Sequence, residues 1–373
     1  MLSTRGEIYA KAGLADGYLG PPKTVFDKDT KQGVVSFSNA ENFLMQDIML
    51  EYIRTQVSSS LDRTTLTYHE GPFGSSRLRT AMTNLITSYF HPATPISPNN
   101  IVFANGVTSL NAISALNLTN PGDGILLGQP IYGSFTGDLR VPSECQLIYT
   151  PFHGDDPFSP DAVTRYEETF LKARDETGVT IRALLICNPH NPLGRCYSRE
   201  TLEALLLFCQ KYQIHLISDE VYALSVYSND DSVGFISVLS IDPVPLGVDP
   251  ALIHVLYGMS KDFAAAGLRL GCLISRNQGL LQAALSMSIA GFFLWIDLSK
   301  CLDNTIVGSQ GEWAAELDLS RRLQQIGVVM SSGYAYHNEV AGWFRVIFSV
   351  EVESLKVGLS RIIEFYNSSG TIA

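Results

Sequence analysis

The sequence predicts a three-layer α/β protein, with a large domain on a mostly parallel sheet and a smaller α/β domain at the C-terminus. Three observations carry this. Ile181–Cys187, Ile214–Ile217 and Ile253–Leu256 are short runs that are apolar at most positions, as strands covered on both faces are. Helical and strand patterns alternate from about residue 75, which builds a parallel sheet between two helical layers. The chain has 373 residues, 46% of them hydrophobic and 17% charged, which is enough for a substantial core and a second domain.

Residues 1–33 are interrupted by Gly and Pro and read as an N-terminal arm, followed by a short strand at Val34–Phe37. Apolar Ile48, Met49, Tyr52 and Ile53 give Gln46–Gln56 helical periodicity. Arg77–Phe90 is predicted as a helix, Asn100–Phe103 as a strand and Thr108–Leu118 as a helix. After the turn at Pro121–Asp123, Gly124–Leu127 and Gln146–Tyr149 are predicted as strands. Asp161–Arg174 is amphipathic, with Asp161 as its N-cap. The three apolar runs and Leu270–Ser275 complete the large sheet. Beyond about residue 290 the pattern is strand Phe292–Ile296, helix Trp313–Ile326, strand Trp343–Ser349 and helix Val352–Tyr366. The expected division is an arm over 1–44 that joins the small domain, a large domain over 45–288 and a small domain over 289–373.

A net charge of −11 argues against nucleic acid or an anionic membrane as partner. Six cysteines form no CxxC pair and no metal-ligand spacing with histidine. Arg5, Glu7 and Lys11 break the N-terminus, so no secretory leader is expected. No run approaches the ~18 apolar residues of a membrane span. A soluble protein in the reducing cytoplasm is the expectation.

Polar motifs follow the strand ends, where functional loops of such sheets gather. Tyr257–Gly271 delivers Ser260 and Lys261 to the end of a buried strand, with Arg269 eight residues on. A Ser-Lys pair on a loop is ordinarily a solvated surface pair. Here small residues allow close backbone approach, and the set suits a lysine that forms a Schiff base with an aldehyde cofactor and an arginine that grips its phosphate. Ile214–Tyr222 ends in Asp219 and Glu220, a pair that a metal site or a solvated loop would also explain. Asn188-Pro-His-Asn-Pro-Leu-Gly194 is, by itself, an ordinary turn. Asn105–Ser109 begins a helix, and Thr108 there is either a plain cap or part of an anion site. Tyr132 alone reads as a core tyrosine, and Arg345 as a strand arginine in an ion pair.

Together these stretches resemble the fold-type I pyridoxal-phosphate enzymes, the class I/II aminotransferases. Seven elements stand in the family's order, from Glu41 to Arg345. The resemblance implies the aspartate aminotransferase-like fold, with pyridoxal 5'-phosphate held through Lys261. Gly106, Val107, Thr108, Ser260 and Arg269 match the phosphate cradle, and Tyr132 the aromatic stacked on the ring. Asp219 matches the partner of the ring nitrogen, while Asn191 and Tyr222 match the partners of the ring hydroxyl. Lys261, Asp219 and Tyr222 would then be the catalytic set. Tyr68, in a looser match at Leu66–Gly71, corresponds to a tyrosine that reaches the neighbouring subunit's cofactor, which implies a homodimer. Arg345 matches the clamp on the substrate α-carboxylate.

Asn39-Ala-Glu-Asn42, Tyr132-Gly-Ser-Phe135 and Gly342-Trp-Phe-Arg345 are most similar to 1-aminocyclopropane-1-carboxylate synthases and their fungal relatives. That likeness puts Glu41 beside the substrate amine and carboxylate. The implied activity is transamination between a small amino acid and a 2-oxo acid. Cyclopropane formation and carbon–sulfur elimination are the alternatives within the class. Two departures stand out: Gly258 occupies a position where the family has serine, and Arg269 and Arg345 are only 76 residues apart, several tens fewer than in the family. The second raises the further alternative of a noncatalytic homologue.

Overall fold

A computed structural model describes residues 27, 29–33, 40–57, 73–227, 233–285, 294–346 and 352–369. The predicted strand at Val34–Phe37 and Tyr68 lie outside them. The chain divides into two compact units, Met1–Ser288 and Ile289–Ala373.

The first unit is built on a seven-stranded sheet of β1 (Ile101–Ala104), β2 (Gly124–Gln129), β3 (Gln146–Pro151), β4 (Ile181–Cys187), β5 (His215–Asp219), β6 (Ile253–Gly258) and β7 (Gly271–Ser275). Its order is β1-β7-β6-β5-β4-β2-β3; only β7 runs antiparallel to its neighbours. Strand alternation sorts the apolar residues into two cores. On one face Leu184, Ile186, Leu216, Val255 and Ile274 pack with helices α2 (Ser76–Tyr89), α4 (Ala162–Lys172) and α5 (Arg199–Tyr212). On the other, Leu127, Leu185, Ile217, Leu256 and Leu273 pack with α3 (Gly106–Leu118) and α6 (Gln278–Leu285). A short helix α1 (Gln46–Tyr52) precedes them, its apolar Ile48 and Leu50 exposed.

Most elements fall where periodicity puts them, and the differences nearest the site are these. Helix α3 starts at Gly106, two residues early, so Gly106, Val107 and Thr108 form its first turn. Asp161 is already helical (φ −66°, ψ −19°) and makes no side-chain cap bond, because the N–H groups it would cap go to backbone carbonyls, Val163 to Pro160 (3.2 Å) and Thr164 to Asp161 (3.0 Å). Helix α5 was not among the predicted elements. Its signals are Ser198, whose hydroxyl accepts from Thr201 N–H, and a buried stripe of Leu202, Leu205, Leu206 and Cys209.

The second unit holds β8 (Leu294–Asp297), β9 (Ser331–Ser332) and β10 (Trp343–Val346) in the antiparallel order β8-β10-β9. Helices α7 (Asn304–Gln310), α8 (Glu312–Gln325) and α9 (Val352–Ser369) accompany them. Leu319, Leu323, Phe344 and Ile362 form its core. The fully buried Glu316 ties α8 to the loops, accepting from Tyr334 N–H (2.9 Å) and Gly342 N–H (2.6 Å).

Candidate active site

The C-terminal edge of the first sheet gathers the polar motifs at one level. Registration sets Cys187 beside Asp219 and Asp219 beside Leu256, while Gly258 pairs with Gly271 and Gly271 with Ala104. The glycines there are a packing requirement. A Cβ on Gly258 would lie 2.9 Å from the Leu270 carbonyl oxygen, and one on Gly271 would lie 2.7 Å from the Gly106 carbonyl carbon. A side chain at 258 would force the Leu270 backbone to shift, and Val107 of α3 lies 3.3 Å from the same point.

That close approach brings Arg269 over the first turn of α3. Gly106 has φ +80°, and a Cβ on it would sit 2.6 Å from Arg269 Nη2. Arg269 is itself left-handed (φ 52°) and donates from Nη1 to the Ala266 carbonyl at 2.8 Å. The α3 N-cap, Asn105, offers no side-chain bond to the helix. Free first-turn amides, the Thr108 hydroxyl and a guanidinium therefore converge on one spot, a setting made for an anion.

A cavity of about 200 Å³ opens from this spot, lined by Val107, Thr108, Tyr132, Asn191, Asp219, Tyr222, Ser260, Lys261 and Arg269. Nine residues singled out in the sequence thus share one wall. Tyr132 stands edge-on to Phe135, ring centroids 5.3 Å apart, which holds its exposed ring at the rim. Asp219 is buried and accepts from Val221 N–H (3.2 Å). Burial pushes its carboxyl up to about 7; the Asp138 charge adds to this and Lys261 opposes it. Burial also lowers the Lys261 ammonium, with Arg269 acting the same way and Glu41 and Asp219 against it. Tyr222, beside Asn191, is pushed up to about 12 by burial, so its phenol stays protonated near neutrality.

Lys261 is placed from both sides. The next residue, Asp262, accepts from Leu224 N–H (2.9 Å), the Ser225 hydroxyl (2.6 Å) and the Tyr257 hydroxyl (2.9 Å), fastening the lysine turn to the segment after Tyr222. From the other side Lys261 Nζ donates to the Ala40 carbonyl at 2.9 Å, next to Glu41. A larger cleft of about 570 Å³ adjoins the cavity, sharing Asn191 and Tyr222 and reaching Ala40, Val226 and Tyr227.

Arg345 lies in the second unit, on β10, its guanidinium 5.0 Å from the Tyr336 ring centroid. Reading the sequence also missed two residues of the cavity wall, Asn111 and Asp138. Asn111 is one helical turn beyond Thr108 and Asp138 six residues beyond Tyr132, spacings that carry no motif. His190 has a structural role: it is buried among Phe158 and Tyr197 and kept neutral, its pKa lowered to about 4 by burial. Glu220 is structural as well, accepting from the Ser218 (3.0 Å) and Ser237 (2.6 Å) hydroxyls and Val238 N–H (2.9 Å). Among the described residues no His, Cys, Asp and Glu group has the arrangement of a metal site, and the six cysteines are buried and form no disulfide. No described helix is long and apolar enough to cross a membrane.

Comparison with known proteins follows the same lines. The profile of the family described as aminotransferase class I and II matches residues 38–289. A "probable aminotransferase tcpI" of Claviceps purpurea (strain 20.1) is 31% identical over 88% of this chain and 88% of its own length. The "1-aminocyclopropane-1-carboxylate synthase-like protein 1" of Homo sapiens is 28% identical over 100% of this chain and 84% of its own. That alignment has 437 positions against 373 residues here, so about 64 (437 minus 373) are filled by the relative alone. Among solved structures, an aspartate aminotransferase from Thermotoga maritima superposes with a TM-score of 0.50 over 98% of both chains at 19% identity, a likeness of fold.

Proposed function

This chain belongs to the class I and II aminotransferase family of pyridoxal-phosphate-dependent enzymes, and we propose that it exchanges the amino group of an amino acid with a 2-oxo acid. The observation that carries the proposal is the single cavity in which Lys261, Asp219 and Arg269 meet. Its two ends differ in the way pyridoxal 5'-phosphate requires. One end has the Gly106 cradle, free helix amides and Arg269 for a dianion; the other has a buried carboxylate for a ring cation. The residues present fit the group.

Gly106, Val107, Thr108, Ser260 and Arg269 would hold the phosphate, Tyr132 the ring face, and Asn191 and Tyr222 the ring hydroxyl. When bound, the cofactor supplies an electron sink for a carbanion at the substrate α-carbon. Asp219 keeps that sink effective by pairing with the ring nitrogen, which favours its protonated form. Lys261 is the covalent anchor and then the group that moves a proton at the α-carbon, a task helped by a lowered ammonium pKa. Glu41, next to the carbonyl that Lys261 touches, would face the substrate amine, and Arg345 its α-carboxylate. A homodimer in the reducing cytoplasm completes the reading, and six buried cysteines outside any disulfide support the setting.

Cyclopropane-forming and carbon–sulfur eliminating reactions use the same residues as far as the carbanion. A second reading is cofactor binding without turnover. It is favoured by the 76 residues between Arg269 and Arg345 and by the roughly 64 positions that the Homo sapiens relative fills alone. Purified protein loaded with pyridoxal phosphate and offered a panel of amino acids with and without 2-oxo acids separates these readings. Amino transfer supports the first. Cofactor uptake without any product would leave the second, and failure to take up cofactor would overturn both.

A further inference from the structure

Asp262 is not among the residues that line the cavity, and the proposed function gives it no task. Its carboxylate nevertheless takes donors from two sides of the site. Oδ2 accepts from Leu224 N–H and the Tyr257 hydroxyl, 2.9 Å each, and Oδ1 accepts from the Ser225 hydroxyl at 2.6 Å. Tyr257 is the penultimate residue of β6, and its buried ring stands edge-on to Phe90 with centroids 4.9 Å apart. This donor is therefore fixed to the core. Leu224 and Ser225 belong to the turn that carries Tyr222, closed by Ser225 N–H donating to the Tyr222 carbonyl at 2.9 Å. The lysine turn is closed in the same way, Ala264 N–H donating to the Lys261 carbonyl at 3.1 Å. An aspartate that only capped its own turn would bond its near neighbours, whereas these partners are 38 and 37 residues away. Across the joint, Lys261 Nζ stands 5.8 Å from the centroid of the Tyr222 ring, and both residues line the one cavity.

We propose that Asp262 is a positioning residue for the reaction: it joins the Lys261 turn to the Tyr222 turn and so sets where the lysine amine stands against the cofactor. The inference rests on the cofactor assignment made above. A lysine stem is flexible, so the place of its amine depends on where the backbone beneath it is held. Covalent capture needs the reacting atoms about 3–3.5 Å apart and aligned, and a misplacement of about 1 Å slows such a step by about 100-fold. The phosphate cradle at Gly106 and Arg269 uses other contacts. Asp262 therefore bears on the covalent step rather than on the noncovalent hold. Its partners are neutral donors, and a serine hydroxyl can donate or accept. Asparagine can thus keep all three bonds, with Nδ2 donating to Ser225, whereas alanine loses them.

The test mixes the full chain, freed of cofactor, with pyridoxal phosphate and adds borohydride at timed intervals. The Lys261 amine and the aldehyde lose water to form the Schiff base, and hydride fixes it as a secondary amine. Asp262→Ala should slow the labelling of Lys261 by about 100-fold. Pyridoxine 5'-phosphate, with an alcohol in place of the aldehyde, should bind this variant nearly as it binds the unaltered protein. Asp262→Asn should label at close to the unaltered rate. Ser225→Ala removes one donor at an exposed position and should slow labelling by a smaller factor, which decides the matter if Asp262→Ala does not fold. Equal losses of labelling and of pyridoxine phosphate binding would make Asp262 structural only and overturn the proposal. So would an Asp262→Asn protein as slow as Asp262→Ala, because charge and not position would then be the agent. Unaltered protein that neither labels nor binds would overturn the cofactor assignment, and the proposal with it.

Discussion

The ammonium of Lys261 donates a 2.9 Å hydrogen bond to the backbone carbonyl of Ala40, 221 residues earlier in the chain. The segment carrying Glu41 is thereby held over the lysine proposed to bind the cofactor. Borohydride reduction of cofactor-loaded protein followed by peptide mapping should place the label on Lys261. Lys261→Ala should lose the label and the visible absorbance together. A label on another lysine, with Lys261→Ala still coloured, would sink the assignment.

Gly106→Ala tests the phosphate cradle. The positive φ alone should destabilise the fold by about 1 kcal/mol. The larger effect should fall on binding, because the added methyl would lie 2.6 Å from Arg269 Nη2 and the long side chain is free to swing away. Affinity for pyridoxal phosphate should drop about tenfold or more, for loss of one charge-assisted contact. Unchanged affinity in a melt-competent variant would mean that Arg269 is not a phosphate ligand.

Glu220 gives a pH-dependent stability with a definite sign. Burial raises its folded-state pKa from 4.5 to about 7, so the protonated form is favoured by folding. The associated stability is fully present below about pH 4.5 and is lost as pH rises through 7. Asp219, raised from 3.8 to about 7, acts in the same direction. Urea unfolding at pH 5 and pH 7.5 should differ by roughly 1–3 kcal/mol, with the lower pH more stable. Glu220→Gln should shrink that difference. Stability that rises across the window would show that the Ser218, Ser237 and Val238 donors hold Glu220 as an anion.

Arg345→Ala should raise the apparent KM for amino acids by the equivalent of about 2–5 kcal/mol, the usual result of removing one partner of a desolvated charge pair. An amine of the same side chain without the carboxylate should bind as before. Equal losses for both ligands would contradict the assignment.

Much of this protein can be seen in its sequence because strands buried on both faces leave an apolar signature. Ile181–Cys187 was predicted with its observed bounds, and the motifs after β4, β5 and β6 end on one cavity. Local patterns gave less where a long-range contact decides. The early start of α3 falls where Gly271 meets Gly106, a contact with no signature near either residue. Asn111 and Asp138 were missed for the same reason: a helix and a turn bring them to the wall of one cavity, and nothing about either residue alone marks it. Asp262, which fastens the lysine turn, stood beside Lys261 unread because its partners Leu224 and Ser225 lie almost forty residues away.

Adjacent residues at the end of β5 divide two tasks. Asp219 shares the parity of Ile217 and opens into the cavity, whereas Glu220 shares that of Leu216 and closes a hydrogen-bonded loop on the other face. Chemical identity does not distinguish them; which way the pleat points does. A slip of β5 by one residue against β4 and β6 would exchange the two carboxylates, putting a longer side chain on the cavity wall and a shorter one under Ser237. The alignment of three neighbouring strands is therefore as much a determinant of reactivity here as any side chain in the pocket. A core substitution that loosens Leu216 or Val255 can silence the enzyme from the layer that never meets its substrate.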